Sequence, residues 1–328
     1  MRYKQRMSAS DPVSIRFAAD IIRAGGLVAF PTETVYGLGC NALNPGAVAH
    51  VFEAKQRPRF DPLIVHLADR SMLGAVVESV SPTASRLMDA FWPGPLTLVL
   101  PKRAHVPDLV TAGLPTVAVR MPSHPVAQAL IREAGVPIAA PSANPFGYVS
   151  PTCAQHVVDG LGDRVDLVLD GGPCLLGVES TIVAMTGAWP ELLRPGSVTL
   201  FEIRNVIGPA TYTPAAQNVA APGQLPRHYA TRTPMTILAA PGVRPVVHDH
   251  ERAGLLAMSQ PNHRDDRLCA MEILSASGDL REAARHLFAA LRRLDEQGLD
   301  RIYAEPCAEV GIGLAIMDRL RRCATPSN

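Results

Sequence analysis

Lysine is scarce in this chain. Of its 31 basic residues only Lys4, Lys55 and Lys102 are lysines, so a lysine at 55 is less easily read as generic surface charge. Net charge is nearly absent too: +1 over 328 residues supplies no bulk field that favours nucleic acid. Residues 1–208 hold 17 Lys and Arg against 17 Asp and Glu, so any cationic pocket must come from local placement. The six cysteines (Cys40, Cys153, Cys174, Cys269, Cys307 and Cys323) form no C-x-x-C pair and show no zinc-ligand spacing. They read as reduced, buried or half-buried thiols. No apolar run reaches the roughly 18–20 residues of a membrane span. The basic start, MRYKQRMSASDP, lacks the apolar stretch of a signal peptide. A cytoplasmic protein away from the membrane is expected. Two nucleotide signatures are also missing. There is no G-x-x-x-x-G-K-[ST] loop and no G-x-G-x-x-G after the first strand. Gly311-Ile312-Gly313 reads as a turn. If phosphates bind here, side chains carry much of the work.

The composition, 47% hydrophobic and 19% charged, is that of a globular protein, and the length suggests two domains. The first is organised around Leu27 to His66. A short apolar strand, 27–30, breaks at Pro31 into a loop of small polar residues running through Tyr36, Gly37 and Gly39. A helix follows, with Asn44 as N-cap and Pro45 in its first turn. Then come the cationic cluster Lys55-Gln56-Arg57-Pro58-Arg59 and a strand over 63–67. Further along, Ser81-Pro82 starts a helix, 96–100 and 116–120 read as strands, and 126–133 as a helix. Ile138 to Ala140 runs into the loop Pro141-Ser142-Ala143-Asn144. A helix is expected over 151–160, capped by Ser150. Strands are expected at 166–170, 180–185 and 191–193, and a last helix at 201–207. Strands alternating with helices give an α/β class with a twisted, mixed sheet.

Residues 209–234 hold five prolines and few charges, which reads as a linker. Fully extended, it could reach up to roughly 85 Å, enough to cross the face of the first domain. Residues 235–328 read as a small Rossmann-type α/β unit. Its strands are expected at 235–239, 244–248, 254–258, 268–274 and 301–304, with helices over 279–297 and 312–322. The expected domains are therefore 1–208 and 235–328, joined by 209–234.

The candidate phosphate groups are Lys55, Arg57, Arg59, Arg120 and Arg194, each at the edge of a strand or helix. A triphosphate needs several, because each charge-assisted bond contributes about 1.5–3 kcal/mol. The hydroxyl and amide candidates are Thr32, Thr34, Thr116, Ser142, Asn144, Ser150, Ser180 and Thr181, residue types that also serve as caps and turns. His66 on its alternating strand reads equally as a core histidine or a ligand. His248-Asp249-His250 reads as a surface loop. On residues alone this is a two-domain protein with an anion site in the first domain, and no particular chemistry follows.

The run FPTETVYGLG at 30–39 resembles the signature of the YrdC/Sua5 family, the threonylcarbamoyl-adenylate synthases of tRNA modification. KQRPRFDPLIVH, FWPGPLTLVL, TVAVRMPSH, AAPSAN, GVESTIV and LLRPGSV resemble the family's further blocks, in order, over residues 12–208. PGQLPRHYATRTP and the C-terminal unit resemble the longer, Sua5-type members. The resemblance implies a YrdC-like open sheet with flanking helices around a central cavity, plus a smaller Rossmann-like α/β C-terminal domain. It implies synthesis of threonylcarbamoyl-AMP from L-threonine, bicarbonate and ATP, with release of pyrophosphate. A separate threonylcarbamoyl-transferase complex would then modify adenosine 37 of tRNAs reading ANN codons. By position, Thr34, His66, Arg120, Ala140 and Ser180 should meet L-threonine. Lys55, Arg57, Asp61, Thr116, Ser142, Asn144, Ser150, Arg194 and Tyr229 should meet ATP, with Lys55 and Arg57 as the catalytic cations and Tyr229 covering the nucleotide from the linker. Mg²⁺ would be held through the ATP phosphates, with no protein metal cage. Asp61 stands where an asparagine is more usual in the family. Two other classes compete: a module that grips double-stranded RNA or tRNA, and a carbamoyl-transfer domain acting on another substrate.

Overall fold

A computed structural model describes residues 5–213, 225, 228–261 and 265–325. The first domain runs β1 (Gln5–Ser8), α1 (Pro12–Arg23), β2 (Val28–Phe30), β3 (Gly37–Asn41), α2 (Pro45–Lys55), β4 (Ile64–His66), α3 (Pro82–Phe91), β5 (Leu96–Pro101), α4 (Asp108–Thr111), β6 (Thr116–Arg120) and α5 (Pro125–Ala134). It continues through β7 (Ile138–Ala139), α6 (Ala154–Leu161), β8 (Leu167–Asp170), β9 (Thr181–Ala184), β10 (Glu191–Arg194), α7 (Leu200–Ile207) and β11 (Thr211–Tyr212). The second domain holds β12 (Met235–Ile237), β13 (Ala253–Ala257), β14 (Leu268–Ile273), α8 (Leu280–Asp295), β15 (Arg301–Ala304) and α9 (Gly313–Ala324).

Helix starts follow local chemistry. Asp11, Asn44 and Ser81 each accept a backbone N–H at an N-cap and each is followed by proline, whose missing N–H costs nothing there. Thr199 and Glu202 close a reciprocal capping box on α7. The first sheet has the order β1-β8-β2-β3-β7-β4-β6-β5-β9-β10-β11 and mixes parallel and antiparallel pairs. The second sheet, β12-β15-β13-β14, is parallel throughout, with α8 and α9 packed on it.

Four sequence expectations are corrected. The signature run was expected to be loop as far as Gly39, but Gly37–Asn41 pairs antiparallel with β2. Its glycines allow that close approach: a Cβ on Gly39 would stand 2.7 Å from the Phe30 ring. The helix expected from Pro151 starts at Ala154, with Cys153 at its N-cap, so Ser150 caps nothing. Residues 244–248 form no strand, and Val246 there is exposed. Thr211–Tyr212, expected in the linker, pairs with β10 as an edge of the first sheet. Half of the linker, 214–224 with 226 and 227, lies outside the described residues.

The two domains share one apolar cluster. Val35, Val149 and Val178 of the first pack with Leu287, Phe288 and Ile316 of the second, and Tyr229 of the linker lies among them. The second domain is thus joined to the back of the loops that build the site.

Candidate functional site

The site lies where β2, β4 and β6 end and β9 begins. Thr32 makes the loop after β2 rigid: its Oγ1 donates to Val35 O at 2.6 Å and accepts the N–H groups of Thr34 and Val35, each at 3.2 Å. That turn aims Thr34 inward. β4 and β6 pair in parallel with His66 beside Arg120, so register puts both side chains at one place. Arg120 donates to Thr34 Oγ1 at 3.0 Å and to Gly94 O at 3.3 Å. Its Nη2 is 2.7 Å from Glu33 Oε1. Burial alone would raise the Glu33 carboxyl, but Arg120 outweighs it and holds the pKa below its usual value. From the other side, Ser180 Oγ lies 2.8 Å from Thr97 Oγ1, and Arg194 donates to Ser180 O at 3.0 Å and to its Oγ at 3.1 Å.

Thr32, Thr34, His66, Arg120, Ser180 and Arg194 line one cleft. Of the residues expected to bind L-threonine, all five line it: Thr34, His66, Arg120, Ala140 and Ser180. Of those expected at ATP, Arg57, Ser142, Arg194 and Tyr229 line it, and Lys55, Asp61, Thr116, Asn144 and Ser150 do not. Their contacts account for much of that. Lys55 donates to the carbonyls of Ser142 and Asn144, at 2.5 Å each, and so fastens the 141–144 loop from behind. Burial pushes its pKa well below the ordinary lysine value. Asn144 donates to Pro145 O and Tyr148 O and braces the same loop. Asp61 is paired with Arg57 at 2.8 Å, both side chains buried, and burial raises its pKa. Thr116 begins β6 opposite Pro101. Ser150 donates its hydroxyl to Glu179 Oε1 at 2.5 Å, behind the cleft wall.

Sequence reasoning missed Glu33 and Glu179 as site residues. Both stand inside quoted motifs, beside Thr34 and Ser180, and an acidic residue next to a buried hydroxyl was the available signal. Tyr229, in the cleft wall, is set by its backbone. Tyr229 has φ +63°, a region a bulky residue adopts at a cost of order 1–3 kcal/mol. It is held there by stacking on Phe288 at 5.4 Å and by Ala230 N donating to Gly147 O at 2.7 Å. Burial raises its hydroxyl to about 12. His228, beside it in the cleft wall, is kept neutral by burial and by the nearby Arg57.

Burial, with Arg120 adding to it, lowers His66 from 6.5 to about 3. The unfolded chain takes up a proton below 6.5 that the folded chain refuses. The stability His66 contributes is complete above that pH and is lost progressively as pH falls toward 3. Thermal midpoints are therefore expected to fall between pH 6.5 and about 5, more shallowly in His66→Asn. Parallel slopes for the two proteins would contradict the assignment.

Fold and site together define a two-domain α/β protein with a cationic cleft partly walled by His228 and Tyr229. The chain belongs to the Sua5/YrdC family. Residues 20–196 match the Sua5/YciO/YrdC family model, described as "Telomere recombination", and residues 198–325 match the one described as "Threonylcarbamoyl-AMP synthase, C-terminal domain". The threonylcarbamoyl-AMP synthase of Pyrococcus abyssi is 43% identical over 94% of each chain. That of Bacillus subtilis is 42% identical over 97% of this chain and 94% of its own. The crystal structure of P. abyssi Sua5 complexed with L-threonine superposes with a TM-score of 0.89 at 41% identity, covering 98% of this chain and 96% of that one.

Proposed function

We propose that the chain synthesises L-threonylcarbamoyl-AMP from L-threonine, bicarbonate and ATP, releasing pyrophosphate. One observation supports this most directly. The five residues expected at threonine line one cleft with Arg57 and Arg194, two of the cations expected at the phosphates. Arg120 takes the threonine carboxylate, and Thr34 and Ser180 take its polar atoms. The neutral threonine amine adds to CO₂ with loss of a proton, or condenses with bicarbonate with loss of water, to give a carbamate; its oxygen attacks the α-phosphate, and the bond to pyrophosphate breaks. No general base is needed at that step, because the carbamate is already an anion. The protein positions the two anions and neutralises charge.

Mg²⁺ would be held through the ATP phosphates. Among the described residues no group of three His, Cys, Asp or Glu could hold a metal, and Asp61, the carboxylate beside the cations, is tied to Arg57. The residues present therefore suit an ion held by phosphate oxygens and water, where it would neutralise phosphate charge. The product serves a separate transferase that modifies tRNA. No helix among the described residues is long and apolar enough to cross a membrane. The reading is tested by omitting ATP, L-threonine or bicarbonate one at a time: pyrophosphate should appear only when all three are present.

A further inference from the structure

The second domain places a fully buried arginine behind the nucleotide half of the site. Arg319 of α9 donates Nε to Glu179 Oε2 at 3.1 Å and Nη1 to Pro195 O at 2.7 Å and Asp318 Oδ2 at 2.9 Å. Its guanidinium carbon stands 5.4 Å over the Tyr229 ring. The other oxygen of Glu179 accepts from Ser150, and Pro195 directly follows Arg194. One guanidinium thus joins the cleft wall, the end of β10 and Tyr229.

Domain adhesion alone does not call for such a group. Leu287, Phe288 and Ile316 already bury apolar area at this boundary. Burying a guanidinium costs several kcal/mol before its partners offset it. Its position explains its presence. Glu179 lines the cleft, and an unneutralised carboxylate there would repel a triphosphate. Arg319 cancels that charge from behind and orients the carboxylate. Its planar fork reaches Glu179, Pro195 and Asp318 together, which a lysine cannot reproduce. The threonine side is tied to the second domain less directly: Arg120 and Thr34 hydrogen-bond or pair with Glu33, Gly94 and Thr32 of the first domain, and only the neighbouring Val35 and Val178 pack in the shared apolar cluster.

We propose that Arg319 is a positioning residue for the nucleotide, so that the second domain is a working part of the ATP site and not only an anchor for the linker. This rests on the proposed function above. The test is calorimetric binding of ATP and of L-threonine to full-length Arg319→Lys, Arg319→Gln and Arg319→Gln/Glu179→Gln. In Arg319→Gln, ATP affinity should drop about tenfold or more while threonine affinity stays within about threefold. Lysine should rescue part of the loss, and the double variant should regain part because the unpaired carboxylate is gone. ATP affinity within about twofold of wild type in Arg319→Gln, or equal losses for both ligands, would overturn the proposal. If Arg319→Gln does not fold, the double variant decides: its ATP affinity should lie below wild type while threonine binding is kept, and wild-type affinity for ATP would overturn the proposal. A wild-type chain that binds no ATP would instead remove the functional reading itself.

Discussion

Arg120→Ala is expected to abolish threonine-dependent pyrophosphate release and to weaken the fold at the same time. Two effects are combined. The guanidinium lies beside Thr34 and His66, and under the proposed function the substrate carboxylate would lose charge-assisted bonds of about 1.5–3 kcal/mol each. Glu33 is buried, and Arg120 is its ion-pair partner, so truncation leaves a carboxylate inside the protein without a countercharge. Breaking such a pair costs about 3–5 kcal/mol. The two effects separate in Arg120→Ala/Glu33→Gln. The double variant should recover much of the lost thermal stability and none of the threonine affinity. Recovery of threonine binding would mean that Arg120 serves Glu33 and not the substrate.

Arg57→Ala is expected to have the second largest effect, and on the other substrate. Arg57 lines the cleft while its Nε and Nη2 donate to the carbonyls of Asp61 and Pro62. The same side chain shapes the loop after α2 and, under the proposed function, would present charge to the phosphates. Its loss orphans Asp61, again at about 3–5 kcal/mol. Arg57→Ala/Asp61→Asn should restore stability while ATP affinity remains at least about tenfold below wild type. Wild-type ATP affinity in that double variant would remove Arg57 from the nucleotide site.

Much of this architecture is legible in the sequence, for physical reasons that differ by element. The run TVAVR alternates and is flanked by prolines, and β6 occupies those five residues. Helices α1, α2 and α3 announce themselves by a capping side chain before proline. β3 does not, because Gly-Leu-Gly-Cys-Asn carries no β-branched residue and owes its pairing to burial against Phe30 and Ile138. In the site, the motif order located the cleft but not the direction each group faces. Lys55 is expected at phosphates, and in the structure its ammonium donates to the carbonyls of Ser142 and Asn144. A lysine at a helix end satisfies either partner, and only tertiary placement decides between them. Ser150 shows the same ambiguity. As a presumed N-cap it would face Cys153, whereas the later start of α6 frees it to meet Glu179. Arg319 carried a signal that the sequence reading did not use: helical spacing puts it on the apolar face of α9 with Ala315, Ile316 and Cys323, and Arg321 on the opposite face.

The central claim is that one cleft joins a threonine-derived carbamate to an adenylate. The omission series run with ¹³C-bicarbonate tests it most directly, following pyrophosphate and the mass of the nucleotide product together. The account predicts pyrophosphate only with ATP, L-threonine and bicarbonate all present, and one ¹³C atom in a threonylcarbamoyl-AMP product. Pyrophosphate released without threonine or without bicarbonate, or an adenylate carrying no label, would contradict it.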